Sequence, residues 1–221
     1  MLKSYLACKY IIFNEVNEKN LNLKRIELTK NDQLRMDKGN IHEKNYLKDL
    51  KKKYKKIIDI KNLNISREEK IKKTIESMEK GYEIIHGGYL KKDKWVGEFD
   101  FLEINKTHKS KFGNYSYQVI DTKNSNRPKP DHIIQLGMYT YMLKHTQGFL
   151  PKRFTIVLKE MVKEEVQVSQ VNEFFEIHRD SYEKFGESKN FNKAKPEKCS
   201  FCQICQWKEE CDKIWIKKDY L

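Results

Sequence analysis

The spacing of apolar residues along this chain changes from helical to strand-like near residue 80, and that change most limits what the chain can fold into. Up to that point apolar positions recur every three or four residues: Leu6, Tyr10 and Phe13, then Tyr46, Leu47, Leu50 and Tyr54, then Ile71, Ile75 and Met78. Side chains so spaced share one face of an α-helix. The spacing predicts a helix over 5–16, capped by Ser4 and carrying Cys8, and a second over about 34–58. A third opens at Ser66-Arg67-Glu68-Glu69, which has the form of a capping box. Beyond residue 80, the stretches 82–90, 94–104 and 115–121 read as strands of a meander, with turn signals at Gly87-Gly88 and Gly113-Asn114. Pro128 and Pro130 then break the chain before an amphipathic helix over 131–144. Strands at 153–159 and 164–168 and a helix at 171–185 complete the pattern. A helical beginning, a central sheet and a mixed end predict an α/β fold.

A chain of 221 residues can bury a substantial core as one domain. Charged residues make up 35% of it, yet its periodic apolar runs and 12% aromatic content exclude general disorder. Lysine and arginine number 45 against 32 acidic residues, and the formal charge of +13 suits a polyanionic partner such as nucleic acid. A merely lysine-rich composition gives the same charge, so charge alone does not decide. The run Lys51-Lys52-Lys53-Tyr54-Lys55-Lys56 reads as a solvated helix face. No apolar stretch approaches the roughly 20 residues that cross a bilayer, and Met1-Leu2-Lys3-Ser4 begins no signal peptide, so an intracellular location is expected.

Two groups of residues carry chemistry. In Val119-Ile120-Asp121-Thr122-Lys123, an apolar strand leads into an acid and a lysine two residues apart, whose side chains leave the same face of an extended chain. Earlier, Gly97-Glu98-Phe99-Asp100 ends a strand-like run with another acid, and pairing of the two strands would bring Asp100 beside Asp121. Two such carboxylates suit Mg²⁺ or Mn²⁺. A cation there could activate water and neutralise a scissile phosphate, with Lys123 orienting the water or stabilising developing negative charge. His42 and Glu43 on an early helix, and Gln135 and Tyr139 one turn apart on a later one, are bland singly. The second group is Cys202-x2-Cys205-x5-Cys211, whose spacing suits iron-sulfur or zinc. Its fourth ligand is either Cys199, closing a local set, or Cys8, joining opposite ends of the chain.

Taken in order, G-x-x-H-E at 39–43, G-x-x-D at 97–100, D-x-K at 121–123 and Q-x-x-x-Y at 135–139 resemble the motif series of the RecB-like PD-(D/E)XK nucleases. The likeness is strongest to standalone members, through Tyr117 to Lys123 and Gln135 to Gly148, and it spans nearly the whole chain. It implies a restriction-endonuclease-like core, a central mixed sheet flanked by helices, with a helical N-terminal segment and a C-terminal cysteine cluster. It further implies that His42, Asp100 and Asp121 bind the metal, that Lys123 is catalytic, and that Gln135 and Tyr139 support the site or the DNA. Asp121 stands where many relatives have Glu, which the family pattern permits, and Glu43 ranks below the three ligands. RecB-like nucleases with iron-sulfur clusters, among them AddB and CRISPR-associated spacer-acquisition nucleases, use one early cysteine and three late ones spaced C-x2-C-x5-C. The likeness of Ser4-Tyr5-Leu6-Ala7-Cys8-Lys9-Tyr10 to the early segment favours Cys8, Cys202, Cys205 and Cys211 around a structural 4Fe-4S cluster.

The expected organisation is one nuclease domain over 1–221: a helical part at 1–80, a core at 81–195, and a cysteine segment at 196–221 closing onto Cys8. The expected activity is metal-dependent DNA hydrolysis, as an exonuclease on single-stranded or end-processed DNA in repair, recombination or mobile-element biology. A catalytically inactive nucleic-acid scaffold and a zinc-binding interaction module are the alternatives, and an intact acid and lysine set argues against the scaffold. No P-loop pattern G-x-x-x-x-G-K-[ST] occurs, so a helicase or recombination partner would be another chain.

Overall fold

The computed structural model describes residues 2–187 and 190–218. The helices and strands, in chain order, are α1 (Leu2–Ala7), α2 (Lys9–Asn17), α3 (Lys30–Lys53), β1 (Ile57–Asp59), α4 (Arg67–Glu79), β2 (Ile84–His86), β3 (Tyr89–Lys92) and β4 (Trp95–Glu98). They continue as β5 (Phe101–Asn105), β6 (Ser116–Thr122), α5 (Pro130–Gln147), β7 (Arg153–Val157), β8 (Lys163–Gln167), α6 (Val168–Glu187) and α7 (Lys208–Lys218). The chain divides into two compact units, Leu34–Glu173, and Met1–Gln33 with Phe174–Leu221. These divisions differ from the expected ones near residues 80 and 195, and the last residues of the expected cysteine segment, 219–221, lie outside the described residues. No helix among the described residues is long and apolar enough to cross a membrane.

The sheet lies wholly within the unit 34–173. Its six strands run in the order β1-β2-β5-β6-β7-β8, with β1/β2 and β6/β7 parallel and the other pairs antiparallel. This is the mixed, helix-flanked sheet of an α/β fold. Period-two alternation sorts its side chains onto two faces. Ile84, Phe101, Ile120 and Val157 pack with Tyr46, Leu47 and Leu50 of α3. Their neighbours Ile85, Leu102, Val119 and Ile156 pack with Met78 of α4 and Leu136, Tyr139, Met142 and Leu143 of α5.

Several elements depart from the sequence reading, each for a local reason. The helix expected over 34–58 stops at Lys53, because Ile57-Ile58-Asp59 leaves it to pair parallel with Ile84-Ile85-His86. That helix also starts earlier, at Lys30, where Thr29 Oγ1 accepts from Asp32 N at 3.2 Å and Asp32 Oδ2 accepts from Thr29 N at 3.1 Å. The expected meander is split at Gly87-Gly88 and at Phe99-Asp100, so β3 and β4 form a separate hairpin while β2 pairs directly with β5. The helix over 130–147 is buried on more than one side rather than amphipathic, because it contacts both β6 and β3. At its C-terminal end the fully buried Gln147 clamps it to β6: its Oε1 accepts from Tyr117 N at 2.7 Å and its Nε2 donates to Tyr117 O at 3.1 Å.

In the other unit, the expected helix 5–16 is two helices meeting at Cys8, whose backbone is extended (φ −163°, ψ 121°). Leu2, Tyr5, Tyr10, Ile11 and Ile12 are all buried, a set too widely spread for one helix face, and Ser4 lies inside α1 rather than capping it. Tyr10, Cys211 and Trp215 form a small core against which Cys8, Phe13, Cys202 and Ile214 pack. Trp215 Nε1 donates to Pro196 O at 3.0 Å, and the Arg25 guanidinium lies 4.7 Å over the ring of the buried Trp207.

Candidate active site

The antiparallel register of β5 and β6 builds the centre of the site. Phe101 pairs with Ile120, so the next residues outward, Asp100 and Asp121, face each other across adjacent strands. Asp100 Oδ2 accepts from the backbone N and the hydroxyl of Thr122, both at 2.7 Å. Asp121 is fully buried and forms an ion pair with Lys123, as the two-residue spacing predicts. Lys123 is anchored in turn by its own N–H, which donates to Val157 O at 2.9 Å. Burial pushes the Asp100 carboxyl above the usual range; Lys123 opposes this and Glu43 adds to it. For Lys123, burial favours the neutral amine, but Asp121 and Asp100 outweigh it and hold the ammonium in place.

Helix α5 closes one side. Gln135 Nε2 donates to Tyr139 Oη at 2.9 Å, the contact that their i, i+4 spacing predicts. Burial raises the Tyr139 phenol; the Gln135 bond opposes this, and the nearby carboxylates Asp121, Asp100 and Glu98 add to it. Gly97 explains the glycine of G-x-x-D: a Cβ there would lie 2.6 Å from Tyr139 Cε1 and 3.0 Å from Met142 Cε. The bare backbone lets the tyrosine ring lie against β4, three residues before Asp100.

Helix α3 supplies the other side. His42 Nε2 donates to Val157 O at 3.0 Å, the same carbonyl that anchors Lys123. Glu43 is held from two directions: Lys61 Nζ contacts both its oxygens at 2.6 Å, and His86 Nε2 lies 2.8 Å from its Oε1. The other ring nitrogen of His86 lies 2.9 Å from Asp59 Oδ1. Burial works against ionisation of Glu43, but His86 and Lys61 outweigh it and keep the carboxyl below its usual range. The family model of the PD-(D/E)XK nuclease superfamily matches residues 18–212. The chain belongs to the PD-(D/E)XK nuclease superfamily. No curated protein matches it.

In this superfamily member, then, the structure brings Asp100, Asp121 and Lys123 together, sets Gln135 and Tyr139 beside them, and places His42 one carbonyl away from Lys123. Membership implies a nuclease, a hydrolase of phosphodiester bonds. Sequence reasoning ranked Glu43 low and missed Asp59, Lys61, His86 and Thr122. A signal existed for two of them, since Ile57-Ile58-Asp59 and Ile84-Ile85-His86 repeat one pattern of two β-branched residues and a polar one. Only the parallel pairing that sets Asp59 opposite His86 gives that pattern meaning.

The nuclease's other unit places all five cysteines, Cys8, Cys199, Cys202, Cys205 and Cys211, on the wall of one cavity. Cys199 Sγ lies 3.8 Å from Cys202 Sγ. Burial pushes the Cys211 thiol up to about 12, with Cys205, Cys8 and Cys202 adding to the rise. As the side chains stand, no three His, Cys, Asp or Glu among the described residues form a group that could hold a metal ion.

Proposed function

We propose that this superfamily member is a RecB-like, Mg²⁺- or Mn²⁺-dependent deoxyribonuclease, an exonuclease on single-stranded or end-processed DNA that serves repair, recombination or mobile-element biology. The observation that carries the reading is the meeting of Asp100 and Asp121 across β5 and β6 with Lys123 on Asp121. The net charge of +13 suits the polyanionic substrate.

The donor chemistry fits a hard divalent cation: Asp100 and Asp121 offer carboxylate oxygens, one of them wholly buried, and His42 offers an imidazole nearby. These three residues would hold the ion, which when bound activates water and neutralises charge on the scissile phosphate. Lys123, kept charged by both acids, orients that water or stabilises the negative charge that develops on the phosphate. Gln135 and Tyr139 brace the acid pair from α5 or contact the DNA. A helicase or recombination partner would be a separate chain.

The cysteine cavity supports a 4Fe-4S cluster held by Cys8, Cys202, Cys205 and Cys211. Its walls are thiols, and Asn14, which is 1% exposed and lines the same cavity, has an Nδ2 with no hydrogen-bond partner. A buried amide donor among sulfurs suits a cluster, whose sulfurs accept such bonds. The cluster's role would be structural, tying residue 8 to residues 202–211. Protein purified without oxygen should be brown and absorb near about 400 nm; colourless protein holding zinc would replace the cluster with the zinc reading.

The test of the nuclease reading is cleavage of end-labelled single- and double-stranded DNA with Mg²⁺ or Mn²⁺ by anaerobically prepared protein, parent against Asp121→Ala. Loss of cleavage in the variant supports the reading. An iron-loaded parent that binds DNA without cutting it would move the protein to the scaffold class.

A further inference from the structure

Glu43 is the buried acid that the Asp100, Asp121 and Lys123 grouping leaves unexplained. It is 7% exposed, close enough to Asp100 to push that carboxyl's pKa up, and held by more side-chain contacts than the catalytic acids themselves. We infer that Glu43 is a further carboxylate of the catalytic centre, presented to the divalent cation and positioned there by His86 and, through His86, by Asp59. The inference rests on the metal-dependent nuclease reading above.

The chemistry of the contacts defines the arrangement. His86 is 3% exposed, and each of its ring nitrogens faces a carboxylate oxygen, Glu43 Oε1 at 2.8 Å and Asp59 Oδ1 at 2.9 Å. Carboxylates only accept, so both contacts are hydrogen bonds when both nitrogens carry protons. The imidazolium and the Lys61 ammonium then balance Glu43 and Asp59, two positive charges against two negative. A buried chain of four charges is a poor way to stabilise a core, since well-packed apolar residues do so at least as well. Its value lies in direction: it keeps one carboxylate ionised and in one place.

The backbone ties that place to Asp100. Directly after His86, Gly87 donates its N–H to Asp100 O at 2.8 Å, while His86 O accepts from Ile60 N at 2.9 Å. Gly87 has φ +63°, and a Cβ there would fall 2.2 Å from Lys61 Cβ, so only glycine fits the junction. The dipeptide His86-Gly87 therefore holds Glu43 by a side chain and Asp100 by the main chain, giving both acids one mount. Phe101 stacks on the His86 ring at 4.8 Å and fixes its plane.

The experiment measures Mn²⁺ affinity by calorimetry, together with kcat and KM on end-labelled DNA, for the parent, Glu43→Gln, His86→Ala and His86→Gln. Glu43→Gln and His86→Ala should each weaken Mn²⁺ binding about 10-fold or more and lower kcat with little change in KM, the size of effect that supporting partners of metal ligands show. His86→Gln, which keeps a donor towards Glu43, should recover part of both losses; a purely structural histidine would move neither Mn²⁺ affinity nor the kcat and KM split. Should His86→Ala fail to fold, Asp59→Asn takes its place, its side chain being 29% exposed, with an expected loss of about threefold or more in both readouts. A folded His86→Ala or Asp59→Asn protein with Mn²⁺ affinity and kcat at the parent level overturns the inference alone. A parent that neither binds Mn²⁺ nor cleaves DNA overturns the nuclease reading and this inference together.

Discussion

The acid site and the cysteine cavity are built in opposite ways. At the sheet, every acid meets a partner of another kind: Thr122 on Asp100, Lys123 on Asp121, Lys61 and His86 on Glu43. In the cavity, like faces like, and the thiols raise one another's pKa, Cys211 up to about 12. The sheet site is charge-balanced by the chain itself. The cavity is made of groups that ionise together only when a cation neutralises them. Catalysis should therefore depend on the first site without its removal unfolding the chain, whereas removing a cavity ligand should cost structure.

The largest expected effect separates the two regions. Asp121→Asn keeps the shape of the buried side chain and removes its charge, and cleavage should fall about 100-fold or more. Bound iron and the near-UV circular dichroism spectrum should stay at the parent level. Iron lost together with cleavage would show that the acid site is structural as well, and the contrast would collapse.

Cys211→Ala attacks the other side of the comparison. Cys211 is 8% exposed and packs with Tyr10 and Trp215, so the variant loses a thiolate ligand and a core contact at once. Iron content should drop to near zero and the melting temperature should fall with it. A variant with full iron and an unchanged melt would remove Cys211 from the ligand set; Cys199, 3.8 Å from Cys202, would then be the next candidate.

How much of each region could be read from the sequence follows from the same difference. Ser66 and Glu69 mark a helix start through contacts three residues apart, and the structure has that capping box. The cysteine run was equally visible, because four of the five cavity cysteines lie within residues 199–211. The acid pair was legible because β5 and β6 are sequence neighbours and alternate cleanly. His86 and Asp59 were not, since they meet through a parallel pairing of two three-residue strands with α4 between them. Short β-branched runs read as helix ends or loops until a partner strand is known. The split of the meander was hidden for a related reason: nothing local says that β3 and β4 leave the sheet to cover α5.

A smaller effect tests whether α5 is positioned by its clamp. In Gln147→Leu, the N–H and C=O of Tyr117 lose their partners inside the protein, at about 1–3 kcal/mol for each buried group left unsatisfied. Chemical denaturation should show a loss of that order. Cleavage should fall severalfold through Gln135 and Tyr139, while iron content stays constant. Unchanged stability would mean that the clamp is not what seats the helix.

The smallest effect is a control lying outside both regions. Ser66 Oγ accepts from Glu69 N at 3.2 Å, and Glu69 Oε2 accepts from Ser66 N at 2.8 Å. Ser66→Ala should cost about 1 kcal/mol, read from urea denaturation, with cleavage and iron untouched. Its pH dependence sharpens the point. The Ser66 hydroxyl and backbone N–H hold the Glu69 carboxyl below its usual range. A carboxyl depressed in the folded state stabilises above its unfolded pKa and loses that contribution as pH falls through its folded pKa. The gap between parent and Ser66→Ala should thus be widest near neutrality and narrow in acid, as the hydroxyl loses the charged carboxylate it bonds. A gap of constant size across that range would mean that the cap acts through the Glu69 backbone N–H alone, and that the carboxylate half of the box contributes nothing.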